Sequence, residues 1–133
     1  MIGTLLVVLI VAFMSYVRFS PLPAERWHQS IAAASDTDFA GGAVRVLPGN
    51  AALFARMDQV MTSFPRTRIL AGSRQDGHIT YVTRSAVFGF PDITTIELQG
   101  DDIKLYARLR FGASDLGVNR KRLERLIAGA KGG

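Results

Sequence analysis

Residues Ile93–Phe111 read ITTIELQGDDIKLYARLRF, and this stretch decides the fold. Apolar and polar side chains alternate on both sides of Gly100-Asp101-Asp102, which is a typical turn sequence. The stretch therefore predicts a hairpin of two strands, Ile93–Gln99 and Ile103–Phe111. In the second strand one face is apolar, and the other carries Lys104, Tyr106, Arg108 and Arg110. We predict a sheet with one buried face and one basic, solvated face.

The flanking sequence predicts two further strands and two helices. Strands Arg68–Gly72 and His78–Ser85 join through the turn Gln75-Asp76-Gly77. Asn50 can cap a helix that Pro65 ends. Its apolar face carries Leu53, Met57, Val60, Met61 and Phe64, and the apolar face of a final helix carries Leu123, Leu126, Ile127 and Ala130. This order predicts an α+β fold, an antiparallel sheet packed on its apolar face by two helices.

The N-terminal segment predicts a transmembrane helix. Met1–Val17 contains no charged side chain and ends at Arg18. As a helix it spans roughly 25 Å, slightly less than the ~30 Å hydrocarbon core of a bilayer. A secretory signal has a basic residue before its apolar stretch and a nearby cleavage site, whereas the small residues Ala32-Ala33-Ala34 lie far downstream. We predict an uncleaved anchor over residues 1–18.

The segment after the anchor, residues 19–43, predicts a connector that lies near the lipid headgroups. Pro23 can begin a short helix over Ala24–Ala34. Trp27 suits the aromatic belt at a membrane interface. Gly41-Gly42 breaks the chain again. We place the folded α+β domain at residues 44–133.

The charge balance limits the class of partner. The 133 residues carry 16 Lys and Arg against 11 Asp and Glu, a net charge of +5. Beside a bilayer anchor, this balance predicts attraction to anionic lipid headgroups or to an acidic protein surface. We do not expect the domain to bind nucleic acid, because the anchor holds it at the membrane. Arg18 and Arg26 follow the span, which favours a cytoplasmic domain.

The sequence lacks the residue patterns that are typical of catalytic and metal-binding sites. The chain has no cysteine, which excludes disulfides, thiolate zinc sites and thiol nucleophiles. No serine and acid are placed around His28 or His78 as a triad requires. Asp101 and Asp102 are typical of a hairpin turn rather than of a cation site. We therefore assign no catalytic residue, metal or cofactor.

The C-terminal motif SDLGVNRKRLERL, Ser114–Leu126, has two interpretations. If Asn119 caps the final helix, the next three cations occupy its first turn, where the helix dipole disfavours them and a bound anion would stabilise them. If Ser114 or Asp115 is the cap, the acid suits the dipole and no ligand is needed. We favour the second interpretation, with Ser114, Asp115, Gly117 and Asn119 as a structural motif.

The stretch RFGASDLGVNRKRLERL also resembles the C-terminal signature of the DUF1499 family, a bacterial and plastid group without an established activity. The matching residues are Arg110, Gly112, Ser114, Asp115, Leu116, Gly117, Val118, Asn119, Arg120, Lys121 and Arg122. Thr83-Arg84, Phe88, Phe90 and Asp92 resemble a second block of the family. The resemblance covers about residues 43–130, and it implies a location at the bacterial inner membrane with a periplasmic domain.

The sequence also departs from the family pattern. Ile93 stands where members usually carry a second aspartate, and Tyr106-Ala107 replaces an Arg-Ser pair. The N-terminal segment with cysteines that many members carry is replaced here by the apolar stretch. If those polar groups form a shared site, part of it is missing, which argues against catalysis.

These observations lead to an ordered set of functional hypotheses. The first is a non-catalytic, single-span accessory or structural subunit of a larger membrane protein complex, such as one of an electron transport chain. The alternative is a binding module for an anionic lipid or a phosphorylated small molecule, and the third is a hydrolase that uses Asp92 and Asp115. For partner or anion binding we predict one cationic surface, formed by Lys104, Arg108, Arg110, Arg120, Lys121 and Arg122.

Overall fold

The computed structural model describes residues 1–132, which form four helices and one six-stranded sheet. The elements are α1 (Ile2–Phe19), α2 (Ala24–Trp27), β1 (Thr37–Phe39), β2 (Gly42–Pro48), α3 (Ala51–Ser63), β3 (Thr67–Ser73), β4 (His78–Arg84), β5 (Pro91–Gln99), β6 (Asp102–Leu109) and α4 (Val118–Gly132). The strand order is β1-β2-β6-β5-β4-β3, and every neighbouring pair is antiparallel.

One face of the sheet carries the predicted core. Helices α3 and α4 pack on this face, and Met57 and Leu123 are fully buried against strand residues such as Leu105. The Asn50 side chain accepts a hydrogen bond from the Leu53 N–H at 3.0 Å, as the capping prediction requires. The α+β class and the two helices on one face are confirmed.

The first two strands form an edge hairpin that the sequence did not predict. β1 pairs with β2, and β2 in turn pairs with β6 along its whole length. Gly42 begins β2 where a side chain would collide with the Ala107 carbonyl, so glycine permits the close approach of two strands. The break predicted at Gly41-Gly42 is correct only in part, because a turn at Ala40-Gly41 separates the two strands but Gly42 already belongs to β2. The sheet begins at Thr37, inside the predicted connector.

The opposite face of the sheet is covered by the connector. Only Ala24–Trp27 is helical, rather than Ala24–Ala34, and the chain then continues across the strands. Trp27 is 9% exposed and packs with Val82 and Ile93 in a second apolar cluster. The predictions of a solvated face and of an interfacial Trp27 are therefore wrong, because this face carries its own apolar side chains, which the connector buries.

Helix α1 is the one element in residues 1–132 that is long and apolar enough to cross a membrane. A signal sequence near an N-terminus has the same length and composition, so these features alone fit both roles. The C-terminal part of the helix contacts the domain. Val17 is fully buried, and the rings of Phe13 and Phe90 lie 5.9 Å apart in an edge-on arrangement. α1 is thus packed onto one end of the sheet.

Candidate functional site

Arg108 does not belong to an exposed cationic surface. Its guanidinium is buried beneath the connector, where it donates to the Trp27 carbonyl at 2.6 Å and to the Thr95 hydroxyl at 2.9 Å. The same group lies over the Tyr106 ring at 4.3 Å from the centroid. Burial lowers the pKa of Arg108 to about 10. The side chain holds the connector on the sheet.

The other predicted cations lie on two different sides of the sheet. Lys104 contacts the Ile31 carbonyl at 3.4 Å, and the Arg110 guanidinium lies over the Phe111 ring at 4.6 Å and the Trp27 ring at 5.9 Å, both on the connector face. Arg120, Lys121 and Arg122 belong to the first turns of α4, on the helix face. The single cationic surface predicted from the sequence is therefore not formed.

Asp115 stabilises the start of α4. Its two carboxylate oxygens accept hydrogen bonds from the N–H of Gly117 at 2.9 Å and from the N–H of Asn119 at 3.1 Å. Leu116 and Gly117 both have positive φ, 54° and 79°, so the chain turns tightly between the acid and the helix. Asp115 therefore accepts N–H groups at the helix start, as the second interpretation expects, but α4 begins at Val118, so the three cations stay in its first turns and do not move to a middle turn.

A buried polar network continues from this cap to the sheet. The Asn119 side chain is fully buried, donates to Asp115 at 2.8 Å and accepts a hydrogen bond from Arg122. Arg122 also pairs with Asp92 on β5 at 3.3 Å. Burial raises the pKa of the Asp92 carboxyl, and the Arg122 guanidinium opposes this shift. The network joins the helix start to the end of the sheet that α1 contacts.

An apolar cleft opens at this same end. It has a volume of about 650 Å³ and lies between α1, the β4–β5 loop and the segment that joins β6 to α4. Its lining residues are Phe13, Ser85, Phe90, Asp92, Leu109, Phe111, Gly112, Ser114, Asp115 and Val118. The walls are mainly aromatic and aliphatic, and the two carboxylates lie at one side. Such a composition is typical of sites for small, largely apolar ligands.

Exposed apolar side chains lie in the two loops that border the cleft. Val87 and Phe88 in the β4–β5 loop are 67% and 45% exposed, and Leu116 before α4 is 88% exposed. β4 ends, β5 begins and β6 ends at this edge, as the pairing of Asp92 with Leu109 shows. These three exposed apolar side chains therefore lie at the end of the sheet that contacts α1.

The comparison with models of protein families identifies the family of this chain. The family model described as "Protein of unknown function (DUF1499)" matches residues 21–129. The chain belongs to the DUF1499 family. The match includes the connector from Pro21 onward, in agreement with its packing on the sheet.

Comparisons with individual proteins add little to the DUF1499 assignment. No curated protein matches the chain. One similar solved structure is the crystal structure of a DUF4468 family protein from Bacteroides ovatus, at 13% identity and a TM-score of 0.34. The similarity covers 66% of this chain and 63% of that one.

Two of the departures from the DUF1499 pattern lie on strands β5 and β6 of the sheet. Ile93 is fully buried in the cluster around Trp27, where a charged aspartate would need a partner. Tyr106 supplies the ring that lies over Arg108. Ile93 and Tyr106 therefore suit a sheet face that is covered rather than solvated, whereas Ala107 is buried in the core on the opposite face.

Sequence reasoning identified one side of the cleft and missed the other. Asp92, Ser114 and Asp115 were singled out, and the structure brings them to one end of the sheet. Phe13 was assigned only to the span, and Phe111 only to the end of the predicted strand Ile103–Phe111. The register that pairs Asp92 with Leu109 was a usable signal for the strand residues, whereas no pattern indicates where α1 packs.

Proposed function

We propose that this chain is a membrane-tethered binding module whose apolar cleft takes an acyl chain of a membrane lipid. The observation that carries the proposal is Phe13, an α1 residue that forms part of the cleft wall. If α1 spans the bilayer, its residues lie at the depth of the lipid chains. The cleft then opens where an acyl chain can enter without crossing water.

The contacts of α1 support a retained tether over a cleaved signal. Val17 is fully buried, and the rings of Tyr16 and Phe111 lie 5.8 Å apart. Cleavage after α1 would expose Phe111 and Phe90 to water and open the cleft on one side. The exposed side chains of Val87, Phe88 and Leu116 would meet the membrane surface beside the tether. Their transfer from water into the apolar part of the interface would be favourable.

The structural roles of the polar groups favour binding over hydrolysis. Asp115 accepts backbone hydrogen bonds on both oxygens, and Asp92 pairs with Arg122. These acids therefore already serve to position α4. The accessory-subunit hypothesis stays a prediction, but its proposed docking surface is missing because Arg108 lies under the connector.

Filling the cleft should reduce lipid retention. Val118 lines the cleft and is 48% exposed, so Val118→Trp places an indole in the opening without disturbing the buried core. We expect native mass spectrometry of the full chain, released from lipid nanodiscs, to show about tenfold fewer lipid adducts, because the aromatic ring occupies the apolar surface that the chain would cover.

Val87→Trp is the matched control. Val87 is exposed at the same end of the sheet but does not line the cleft, so the substitution adds the same apolar area outside it. This variant should keep the adducts of the wild-type protein. Equal lipid retention by Val118→Trp and Val87→Trp would contradict the proposal.

A further inference from the structure

Four arginines converge beside the end of α1, on the side of the sheet that the connector crosses. Arg18, Arg66, Arg68 and Arg84 line one cavity of about 360 Å³ together with Thr67, Val82 and Ser85. We call these four residues the arginine basin. Sequence reasoning missed this cluster, because its members come from α1, from the segment around the start of β3 and from the end of β4.

No carboxylate in residues 1–132 forms an ion pair with the arginine basin. Among residues 1–132, the ion pairs with carboxylates involve other arginines, namely Arg45, Arg74, Arg120 and Arg122. Burial, together with the nearby cations Arg68 and Arg18, lowers the pKa of Arg84. Bringing like charges together without a counter-charge is unfavourable, and an anion between them would relieve the repulsion.

Backbone carbonyls fix the geometry of the basin. Arg84 donates to the Gly89 carbonyl at 2.9 Å, and Arg66 donates through Nε to the Arg84 carbonyl at 2.9 Å. Arg18 lies across Gly89, where an added Cβ would approach its guanidinium carbon at 3.0 Å. The basin is thus formed by the packing of α1 against the β4–β5 loop.

We infer that the arginine basin binds a phosphate group. Arginine guanidinium groups bind phosphate oxygens in pairs of parallel hydrogen bonds, and four of them line a cavity of suitable size. Arg18 directly follows the apolar stretch of α1, which is the level of the headgroup phosphates if that helix spans a bilayer. The phosphate can be that of an anionic lipid headgroup or that of a soluble phosphate ester.

The inference does not depend on the acyl-chain cleft, and one experiment separates the two. The full chain is placed in nanodiscs that contain phosphatidylglycerol and zwitterionic phosphatidylcholine, and its lipid adducts are identified by native mass spectrometry. The total number of adducts reports on the cleft, and the ratio of phosphatidylglycerol to phosphatidylcholine reports on the basin. Val118→Trp should lower the total and keep the ratio.

The basin variant is Arg18→Gln/Arg68→Gln, which removes two exposed charges and leaves the partly buried Arg84 in place. We expect the ratio to fall about tenfold or more, because each cation near a membrane surface adds to the attraction for anionic lipid. Lys121→Gln/Arg125→Gln is the matched control, since it removes two exposed charges from α4 outside the basin. Arg18→Lys/Arg68→Lys keeps the charge but loses the paired hydrogen bonds, and an intermediate ratio is expected.

A second arm identifies the source of the phosphate. Glycerol 3-phosphate is titrated by calorimetry into the full chain in nanodiscs of phosphatidylcholine alone. Binding in this arm that is lost in Arg18→Gln/Arg68→Gln, without a change in the lipid ratio, assigns the basin to a soluble phosphate ester. If the basin variant and its control behave alike in both arms while each keeps the wild-type melting temperature, the inference is wrong.

Discussion

Trp27→Ala should lower the free energy of unfolding by about 3–5 kcal/mol, the usual cost of truncating a large aromatic side chain in a core. Trp27 is 9% exposed and packs on Val82 and Ile93, so its removal leaves a cavity in the second apolar cluster. The same change uncovers Arg108, whose guanidinium donates to the Trp27 carbonyl and lies 5.5 Å from the centre of the indole ring. A loss of this size is a large part of the stability of an ordinary domain.

The measurement is chemical denaturation of the full chain in mild detergent, followed by circular dichroism. Trp27→Phe is the control, and it should cost only about 1 kcal/mol because a smaller aromatic ring still covers the sheet. Trp27 is the one tryptophan of the chain, so its fluorescence should also be shielded from a water-soluble quencher in the wild type. Unchanged stability in Trp27→Ala would place the connector at the membrane interface instead.

Asp115→Ala should also be strongly destabilising. It removes the acceptor for two N–H groups at the start of α4, and loss of a helix cap costs about 1 kcal/mol. It also leaves the fully buried Asn119 amide without its acceptor, which costs a further ~1–3 kcal/mol. We expect a total loss of roughly 3 kcal/mol in the free energy of unfolding.

Two neighbouring variants calibrate the Asp115 result in the same denaturation assay. Asp115→Asn keeps one carbonyl oxygen and should lose about half as much as the alanine variant. Ser114→Ala removes an exposed acceptor that lies 3.3 Å from the Leu116 N–H, and it should change stability by less than ~0.5 kcal/mol. Wild-type stability in Asp115→Ala would show that the acid has another role.

The hairpins were predictable because their signals are local. The turn at Gln75-Asp76-Gly77 and the alternation after Gly100 lead directly to the β3–β4 and β5–β6 pairs. Asn50 and Pro65 likewise set the ends of α3 through short-range hydrogen bonding and sterics. In each case the residues that decide the structure are neighbours in the chain.

The covered face was not predictable, because its cause is a contact between distant segments. The alternation in β6 marks Arg108 as outward, and an outward arginine ordinarily lies in water. Here Trp27, which is 81 residues away in sequence, covers it. The role of Gly42 was unpredictable for the same reason, because this glycine permits the close approach of β2 to Ala107 on the distant strand β6.

The candidate site was predictable only in part for the same reason. Asp92 and Asp115 lie in recognisable sequence blocks, and their placement at one end of the sheet follows from the strand register. Phe13 and Arg18 reach that end only through the packing of α1, which depends on Val17 and its contacts. The apolar cleft and the arginine basin, which both border α1, therefore could be found only in the structure.

The most direct measurement for the central claim is photo-crosslinking in nanodiscs with a phosphatidylglycerol whose acyl chain carries a diazirine. After illumination, peptide mass spectrometry locates the modified residues of the full chain. We expect adducts on cleft residues, including Phe111 and Val118, in addition to those on α1. We expect Val118→Trp to lose the adducts on the cleft residues and to keep those on α1. Adducts confined to α1, with none in residues 109–118, would contradict the central claim.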